Sequence, residues 1–216
     1  MDAVTMSTTS SSSFPNRTMY LLEGNIGAGK TSLGNILKSS NTFEFLEEPV
    51  DTWREGFAGN LFEMFYNDMP RWSFTFQIMA FTTRAKTWSE ILEKVQGDRV
   101  VLERSIYTDR NVFAKNLYAG GAMNDSEWQV YQQLWEFLAS NYCEKPQKII
   151  YLRTPAELCL ERIKKRGREE EQSMPLDYLK RLEDLHDEWL MDHPDMIMID
   201  GTNRWSTSEI EKLLRT

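Results

Sequence analysis

The chain has 216 residues, 41% hydrophobic and 27% charged, which is enough for one sizeable core and too apolar for a chain disordered throughout. Its 33 Asp and Glu outweigh 25 Lys and Arg, and the net charge of −8 excludes a protein whose main task is to coat nucleic acid, because phosphate backbones need a broad basic footprint. No apolar run approaches the ~20 residues of a membrane-spanning helix, and two cysteines, Cys143 and Cys159, are too few for a disulfide framework.

Residues 1–17 are rich in Ser and Thr. They lack the apolar centre of a signal peptide and the repeated arginines of a transit peptide, so a disordered tail and a cytoplasmic location are expected. From Met19 the signals alternate. Met19-Tyr20-Leu21-Leu22 reads as a buried strand ending at a glycine-rich turn, and Thr31 to Lys38 as a helix with Leu33, Ile36 and Leu37 on one face. Phe43 to Leu46 is a second strand, halted by Glu48-Pro49. Pro70 sits where a long helix, Arg71 to Lys94, can start.

Arg99 to Leu102 is the third predicted strand, followed by helices over Tyr107–Tyr118 and Asp125–Cys143. Lys148 to Leu152 is the fourth strand. Thr154-Pro155-Ala156-Glu157 has the form of a capping box opening a helix to Arg166, with Gly167 as its stop. Pro175 opens a helix toward Leu190, Met196 to Ile199 is a fifth strand, and Ser206-Thr207-Ser208-Glu209 caps a last helix. This order predicts an α/β fold over residues 18–216, a single domain with a five-stranded parallel sheet flanked by helices.

Gly24-Asn25-Ile26-Gly27-Ala28-Gly29-Lys30-Thr31 fits the phosphate-loop pattern G-x-x-x-x-G-K-[ST] between a strand and a helix, the context it needs. Glycines let backbone N–H groups crowd round a polyphosphate, and the helix that follows adds its positive end. Asn25, Ile26, Gly27, Ala28, Gly29, Lys30, Thr31 and Ser32 are therefore the expected triphosphate contacts, with Lys30 on the β and γ phosphates and the Thr31 hydroxyl on Mg²⁺. The D-x-x-G and N-K-x-D strings of GTPase switches are absent. A hydroxyl acceptor benefits from a carboxylate that takes its proton, whereas an anionic acceptor needs cations instead. Glu47-Glu48 ends the second strand, at the sheet edge where ligands bind in open α/β folds.

Three cations follow on the lid side. Arg162 and Arg166 share a helix face and Arg168 follows Gly167, an arginine-rich lid able to clamp triphosphate oxygens. The other readings are a solvated basic face paired with neighbouring glutamates, or contact with RNA.

Glu48-Pro49-Val50-Asp51-Thr52-Trp53, Arg71-Trp72-Ser73-Phe74-Thr75-Phe76-Gln77 and Glu103-Arg104-Ser105-Ile106-Tyr107-Thr108-Asp109-Arg110 resemble motifs of the deoxynucleoside kinase family. So do Arg162 to Gln172 and Pro175 to Leu179, and the likeness runs from about Tyr20 to Leu190. Within the family the chain resembles the deoxycytidine and deoxyguanosine kinases most. The resemblance implies a P-loop kinase fold, ATP and Mg²⁺, a homodimer, and transfer to the 5′-hydroxyl of a deoxynucleoside in nucleotide salvage.

It further implies Glu48 as general base, Arg104 as the cation that holds the hydroxyl and the transferred phosphoryl, and Glu103 beside Mg²⁺. Tyr66 and Glu171 match residues on the sugar 3′-hydroxyl, Gln77 the reader of the base edge, and Trp53, Phe76 and Phe113 the aromatic walls. Ile26, Phe62 and Ala80 complete the expected cavity. Gln77, Ala80 and Arg84 fall within about 60° on one helix face at 100° per residue. By the same resemblance, Arg84 with Asp109 marks the deoxycytidine and deoxyguanosine branch; the pair would fill the space a thymine methyl needs, so deoxyadenosine, deoxycytidine or deoxyguanosine is the expected substrate and thymidine a poor one. Phe62 replaces a smaller leucine, which leaves the order among those three open.

Other classes are a thymidine-accepting or broad-specificity relative, a thymidylate-type nucleotide kinase, and a non-catalytic ATP-binding subunit. The last two fit less well, since Lys30, Thr31, Glu48, Arg104 and the lid arginines are all present. His186 and His193 read as surface or cap residues, and Cys143 and Cys159 as small buried ones. Trp128, Tyr131, Leu134, Trp135 and Leu138 offer a face for pairing two copies.

Overall fold

The computed structural model describes residues 17–55, 59–92, 95, 97–143 and 145–214, so the expected tail lies outside the described residues except for Arg17. The strands are β1 (Thr18–Glu23), β2 (Glu44–Leu46), β3 (Arg99–Glu103), β4 (Lys148–Arg153) and β5 (Met196–Asp200). They form one sheet in the order β2-β3-β1-β4-β5, every neighbouring pair parallel, as the alternating pattern predicts. Leu22 of β1 lies opposite Glu103, and Glu23 opposite Tyr151.

Helices α1 (Lys30–Ser39), α2 (Val50–Glu55), α3 (Leu61–Asn67) and α4 (Met69–Leu92) precede β3. Between β3 and β4 lie α5 (Ile106–Thr108), a π-helical segment (Asp109–Ala114), α6 (Lys115–Ala119) and α7 (Asp125–Tyr142). Then come α8 (Ala156–Arg166), a 3-10 turn (Glu169–Glu171), α9 (Leu176–Leu190) and, after β5, α10 (Thr207–Leu214).

Side chains of β1 alternate between two core layers, as the period of a strand requires. Met19 and Leu21 join Phe81, Trp88 and Tyr131 on the side of α4 and α7. Tyr20 and Leu22 join Leu33, Cys159, Leu179 and Ile210 on the side of α1, α8, α9 and α10. Helix α1 comes so near β2 that a Cβ on Gly34 would lie 2.1 Å from the Phe45 ring. Gly167 ends α8 at φ 77°, the left-handed stop its sequence suggests.

Three local expectations are corrected. The box at Thr154 does not form: Thr154 Oγ1 donates to the Ala28 carbonyl at 3.2 Å, Glu157 pairs with Lys180 at 2.9 Å, and Glu183 from α9 accepts the Ala156 N–H at 2.8 Å. A tertiary carboxylate takes the role of the local one. His186 is no surface residue but is fully buried, its Nδ1 bonded to the Leu182 carbonyl at 2.6 Å and its ring stacked on Tyr151. On α7, Tyr131 is buried, Trp128, Trp135 and Leu138 pack on the core, and the exposed apolar residues are Val130, Leu134 and Phe137, with Tyr142 at its end.

Candidate active site

The phosphate loop leaves the carboxyl end of the central strand β1, between the ends of β3 and β4. Gly24, Gly27 and Gly29 have φ of 149°, 77° and 102°, backbone that side chains other than glycine resist. At Gly27 a Cβ would meet the Cys159 carbonyl oxygen at 2.5 Å, so α8 packs directly against the loop. Lys30 is buried and curls onto its own loop, donating to the carbonyls of Asn25 at 2.9 Å and Gly24 at 3.2 Å. Burial, with Arg104 nearby, lowers its ammonium to about 8. Asn25 faces elsewhere: its amide donates to the Leu179 carbonyl at 2.8 Å and its oxygen accepts the Ile26 N–H, so it braces the loop.

Two cavities flank this loop and share Gly27, Lys30, Thr31, Glu103, Arg166 and Arg168. The outer one runs along Ala28, Gly29, Ser32 and Arg162 to Asn203, Arg204 and Trp205. The inner one is lined by all of Ile26, Glu48, Trp53, Phe62, Tyr66, Phe76, Gln77, Ala80, Arg84, Arg104, Asp109, Phe113 and Glu171. Residues spread over 146 positions of sequence, from Ile26 to Glu171, thus meet in one space.

Glu48 lines the inner cavity, near enough to Lys30 of the shared wall to feel its charge. Arg84 Nη2 donates to its Oε1 at 2.9 Å, and Arg104 Nε lies 3.1 Å from the same oxygen. Burial alone would raise the Glu48 carboxyl, but Arg104, Arg84 and Lys30 outweigh it and hold the group down to about 2, so it is ionised. Arg84 is tied in turn to Asp109, Nε to Oδ2 at 2.9 Å and Nη2 to Oδ1 at 3.3 Å. Burial pushes the Asp109 carboxyl up against the pull of Arg84.

Thr31 Oγ1 donates to the Glu103 carboxylate, 2.9 Å from Oε2 and 3.0 Å from Oε1. Burial raises Glu103, opposed by Lys30. These are hard oxygen donors beside an ammonium, a set that suits Mg²⁺ carried on a polyphosphate. Two side chains do not make an all-protein cage, and among the described residues no group of three or more His, Cys, Asp or Glu is placed to hold a metal.

The inner walls are aromatic. Phe76 meets Trp53 edge-on at 5.6 Å and stacks on Phe65 at 4.6 Å, while Trp53 Nε1 donates to Thr83 Oγ1 at 2.9 Å and is fixed by it. The Arg104 guanidinium sits 4.7 Å over the Phe113 ring. Gln77 Oε1 is buried and has no hydrogen-bond partner among the described residues. Burial, with Glu171 and Glu48 nearby, keeps Tyr66 a neutral phenol far above its usual range.

The three arginines expected in a lid all border the outer cavity, each with partners inside the protein. Arg162 donates to the Ala28 carbonyl at 2.6 Å and the Gly201 carbonyl at 2.8 Å. Arg166 pairs with Glu171 Oε2 at 2.5 Å, and Arg168 lies 3.6 Å from its Oε1. Sequence reasoning missed the turn after β5, where Trp205 Nε1 donates to the Asp200 carbonyl at 2.8 Å and the ring borders the outer cavity. An isolated aromatic in a polar loop was its only signal.

The sequence profile described as "Deoxynucleoside kinase" matches residues 21–215. A probable deoxycytidine kinase of fowlpox virus is 40% identical over 172 residues, 80% of this chain and 71% of that protein. Mouse deoxycytidine kinase is 39% identical over 192 residues, covering 79% and 74%. A mitochondrial deoxyguanosine kinase of Xenopus laevis is 37% identical over 191 residues, covering 78% and 71%. Fold, ordered motifs and relatives agree: the chain belongs to the deoxynucleoside kinase family and is a phosphotransferase of nucleosides.

Proposed function

We propose that this protein phosphorylates the 5′-hydroxyl of deoxycytidine, deoxyguanosine or deoxyadenosine with ATP, in deoxynucleotide salvage. The observation that carries the reading is the meeting of an ionised carboxylate, Glu48, with Arg104 and the phosphate-loop Lys30 where two cavities share a wall. The nucleoside occupies the inner cavity, its base between the aromatic walls, with Gln77 supplying a donor and an acceptor to the base edge. Tyr66 and Glu171 hold the 3′-hydroxyl. The triphosphate lies on Gly27 to Ser32, with Arg162, Arg166 and Arg168 on its outer side and the Trp205 ring available to the donor base.

In the transfer the 5′-oxygen forms a bond to the γ-phosphorus as the bond to the bridging β–γ oxygen breaks, and ADP leaves. The hydroxyl proton passes to Glu48. A carboxyl held near 2 is a weak base, yet a loose transfer needs the proton only late. Arg104, beside Glu48, then faces the charge on the phosphoryl oxygens. Thr31 and Glu103 would hold Mg²⁺, which when bound neutralises phosphate charge.

The Arg84–Asp109 pair fills the space a 5-methyl needs, which disfavours thymidine. Residues 18–216 act as one domain. The exposed Val130, Leu134 and Phe137 stripe on α7 supports pairing as a homodimer, and the two free cysteines fit the cytoplasm. Among the described residues no helix is long and apolar enough to cross a membrane. The test of the reaction is a 5′-monophosphate formed with one ADP per turnover from deoxycytidine and Mg²⁺–ATP. Light scattering tests the pairing, and a peak at the mass of one chain would contradict it.

A further inference from the structure

Beneath the reacting groups lies a carboxylate that the proposed reaction does not use. Glu23 ends β1, one residue before the phosphate loop, and is fully buried. Its Oε2 accepts the Thr108 hydroxyl, and its Oε1 has no hydrogen-bond partner among the described residues. A buried carboxylate is costly, and one with an idle oxygen calls for a reason.

The neighbours supply one. Arg104 has φ 65°, a left-handed conformation unusual for a side chain of that size. Two attachments lead to it. Ahead, the Arg104 N–H bonds to the Leu22 carbonyl at 3.0 Å and its Nη1 to the Gly24 carbonyl at 3.3 Å, so residues on both sides of Glu23 grip it. Behind, Ser105 caps α5 by accepting the N–H groups of Tyr107 at 3.2 Å and Thr108 at 3.3 Å, and Thr108 is the residue that reaches back to Glu23. The carboxylate therefore closes a loop around the strained residue. Burial raises the Glu23 carboxyl, against hydrogen bonding by Ser105 and Thr108 and the charges of Arg104 and Arg84, the two arginines that hold Glu48.

We infer that Glu23 is a positioning residue: through Thr108 and its charge it holds Arg104 in the left-handed conformation that aims the guanidinium at Glu48 and the transferred phosphoryl group. The inference rests on the proposed role of Arg104 in transfer. It assigns Glu23 no contact with nucleoside or ATP, so its loss acts on the chemical step and not on binding.

The test is steady-state kinetics of Glu23→Gln and Thr108→Val on deoxycytidine and Mg²⁺–ATP, with thermal unfolding and Arg104→Gln alongside. Glu23→Gln keeps the shape and removes the charge, while Thr108→Val removes only the hydroxyl. Each is expected to lower kcat roughly 100-fold, the scale for a reacting group slightly misplaced, with the deoxycytidine KM within about twofold of wild type. Thr108→Ser, which keeps the donor, restores kcat. A folded Glu23→Gln with kcat within about threefold of wild type, or a loss of kcat matched by equal loss of nucleoside binding, overturns the inference. If Glu23→Gln does not fold, Thr108→Val decides in the same way. Arg104→Gln separates the two claims: full activity there removes the reading of Arg104 itself, whereas a collapsed Arg104→Gln beside intact Glu23→Gln and Thr108→Val removes only the role of Glu23.

Discussion

Arg84 donates from Nη2 to Oε1 of Glu48 at 2.9 Å while its Nε holds Asp109 at 2.9 Å, so the proposed base-discriminating pair and the proposed proton acceptor share one side chain. Read from sequence, Arg84 concerned the base alone. The bond to Glu48 means that a specificity change here also reaches the chemistry.

Replacing Arg84 with Met and Asp109 with Ala opens the space for a thymine methyl. The ratio of thymidine to deoxycytidine turnover is expected to rise at least about 10-fold, the scale on which a pocket discriminates one methyl group. Loss of the guanidinium also removes one of the cations that hold Glu48 down to about 2, so its carboxyl rises and the acid limb of the pH–rate profile moves to higher pH. Steady-state rates on both nucleosides between pH 4 and about 8 check both parts. A flat thymidine rate with surviving deoxycytidine activity contradicts the filled-space argument.

Among the described residues nothing pairs with Gln77 Oε1 in its buried wall, as for a group awaiting a base edge. Gln77→Leu should lower kcat/KM for deoxycytidine by about 10- to 100-fold, the worth of one or two buried hydrogen bonds, chiefly through KM. An unchanged KM would show that the base lies elsewhere.

His186 gives the fold a pH dependence. Burial, then Arg104 and Lys30, push its pKa from 6.5 down to about 3, against the Leu182 carbonyl and Asp187. The folded ring is neutral while the unfolded ring takes a proton below 6.5, so this contribution is complete above pH 6.5 and lost as pH falls toward about 3. At pH 5.5 the loss is about 1.4 kcal/mol. Denaturant unfolding of wild type and His186→Phe at pH 7.5 and pH 5.5 isolates it: the gap between the two proteins should shift by that amount in favour of the variant, and a constant gap contradicts the assignment.

Gly34→Ala tests the approach of α1 to β2. Alanine gains up to about 1 kcal/mol of helix propensity, but its Cβ would lie 2.1 Å from the Phe45 ring, an overlap that costs about 1–3 kcal/mol. Net destabilisation is expected, smaller in a Phe45→Leu background. Equal or greater stability in the wild-type background would mean that the two elements are farther apart.

The parts readable in the sequence were those where chemistry fixes residue type and spacing. The glycines and lysine of the phosphate loop follow from cradling an anion, and the five strands from continuous apolar runs. Other parts depend on partners distant in the chain. Thr154 has the local form of a cap, yet the Ala156 N–H is taken by Glu183, 27 residues on. His186 looks polar, yet α9 turns it inward with Leu179, Leu182 and Leu190. Helices α2 and α3 were not anticipated, although Asn60 caps α3 through the Glu63 N–H. The π-helical segment that carries Asp109 and Phe113 has no sequence signature, since it depends on how the helix meets the sheet. The link from Arg84 to Glu48, 36 residues apart, likewise needed the fold.

The most direct measurement is Mg²⁺–ATP-dependent phosphorylation of the four deoxynucleosides and their monophosphates by wild type and by Glu48→Gln. Turnover of cytosine or purine deoxynucleosides, falling about 100-fold or more in Glu48→Gln as for loss of a general base, is the predicted result. Turnover of monophosphates alone, or wild-type rates in Glu48→Gln, would contradict the account.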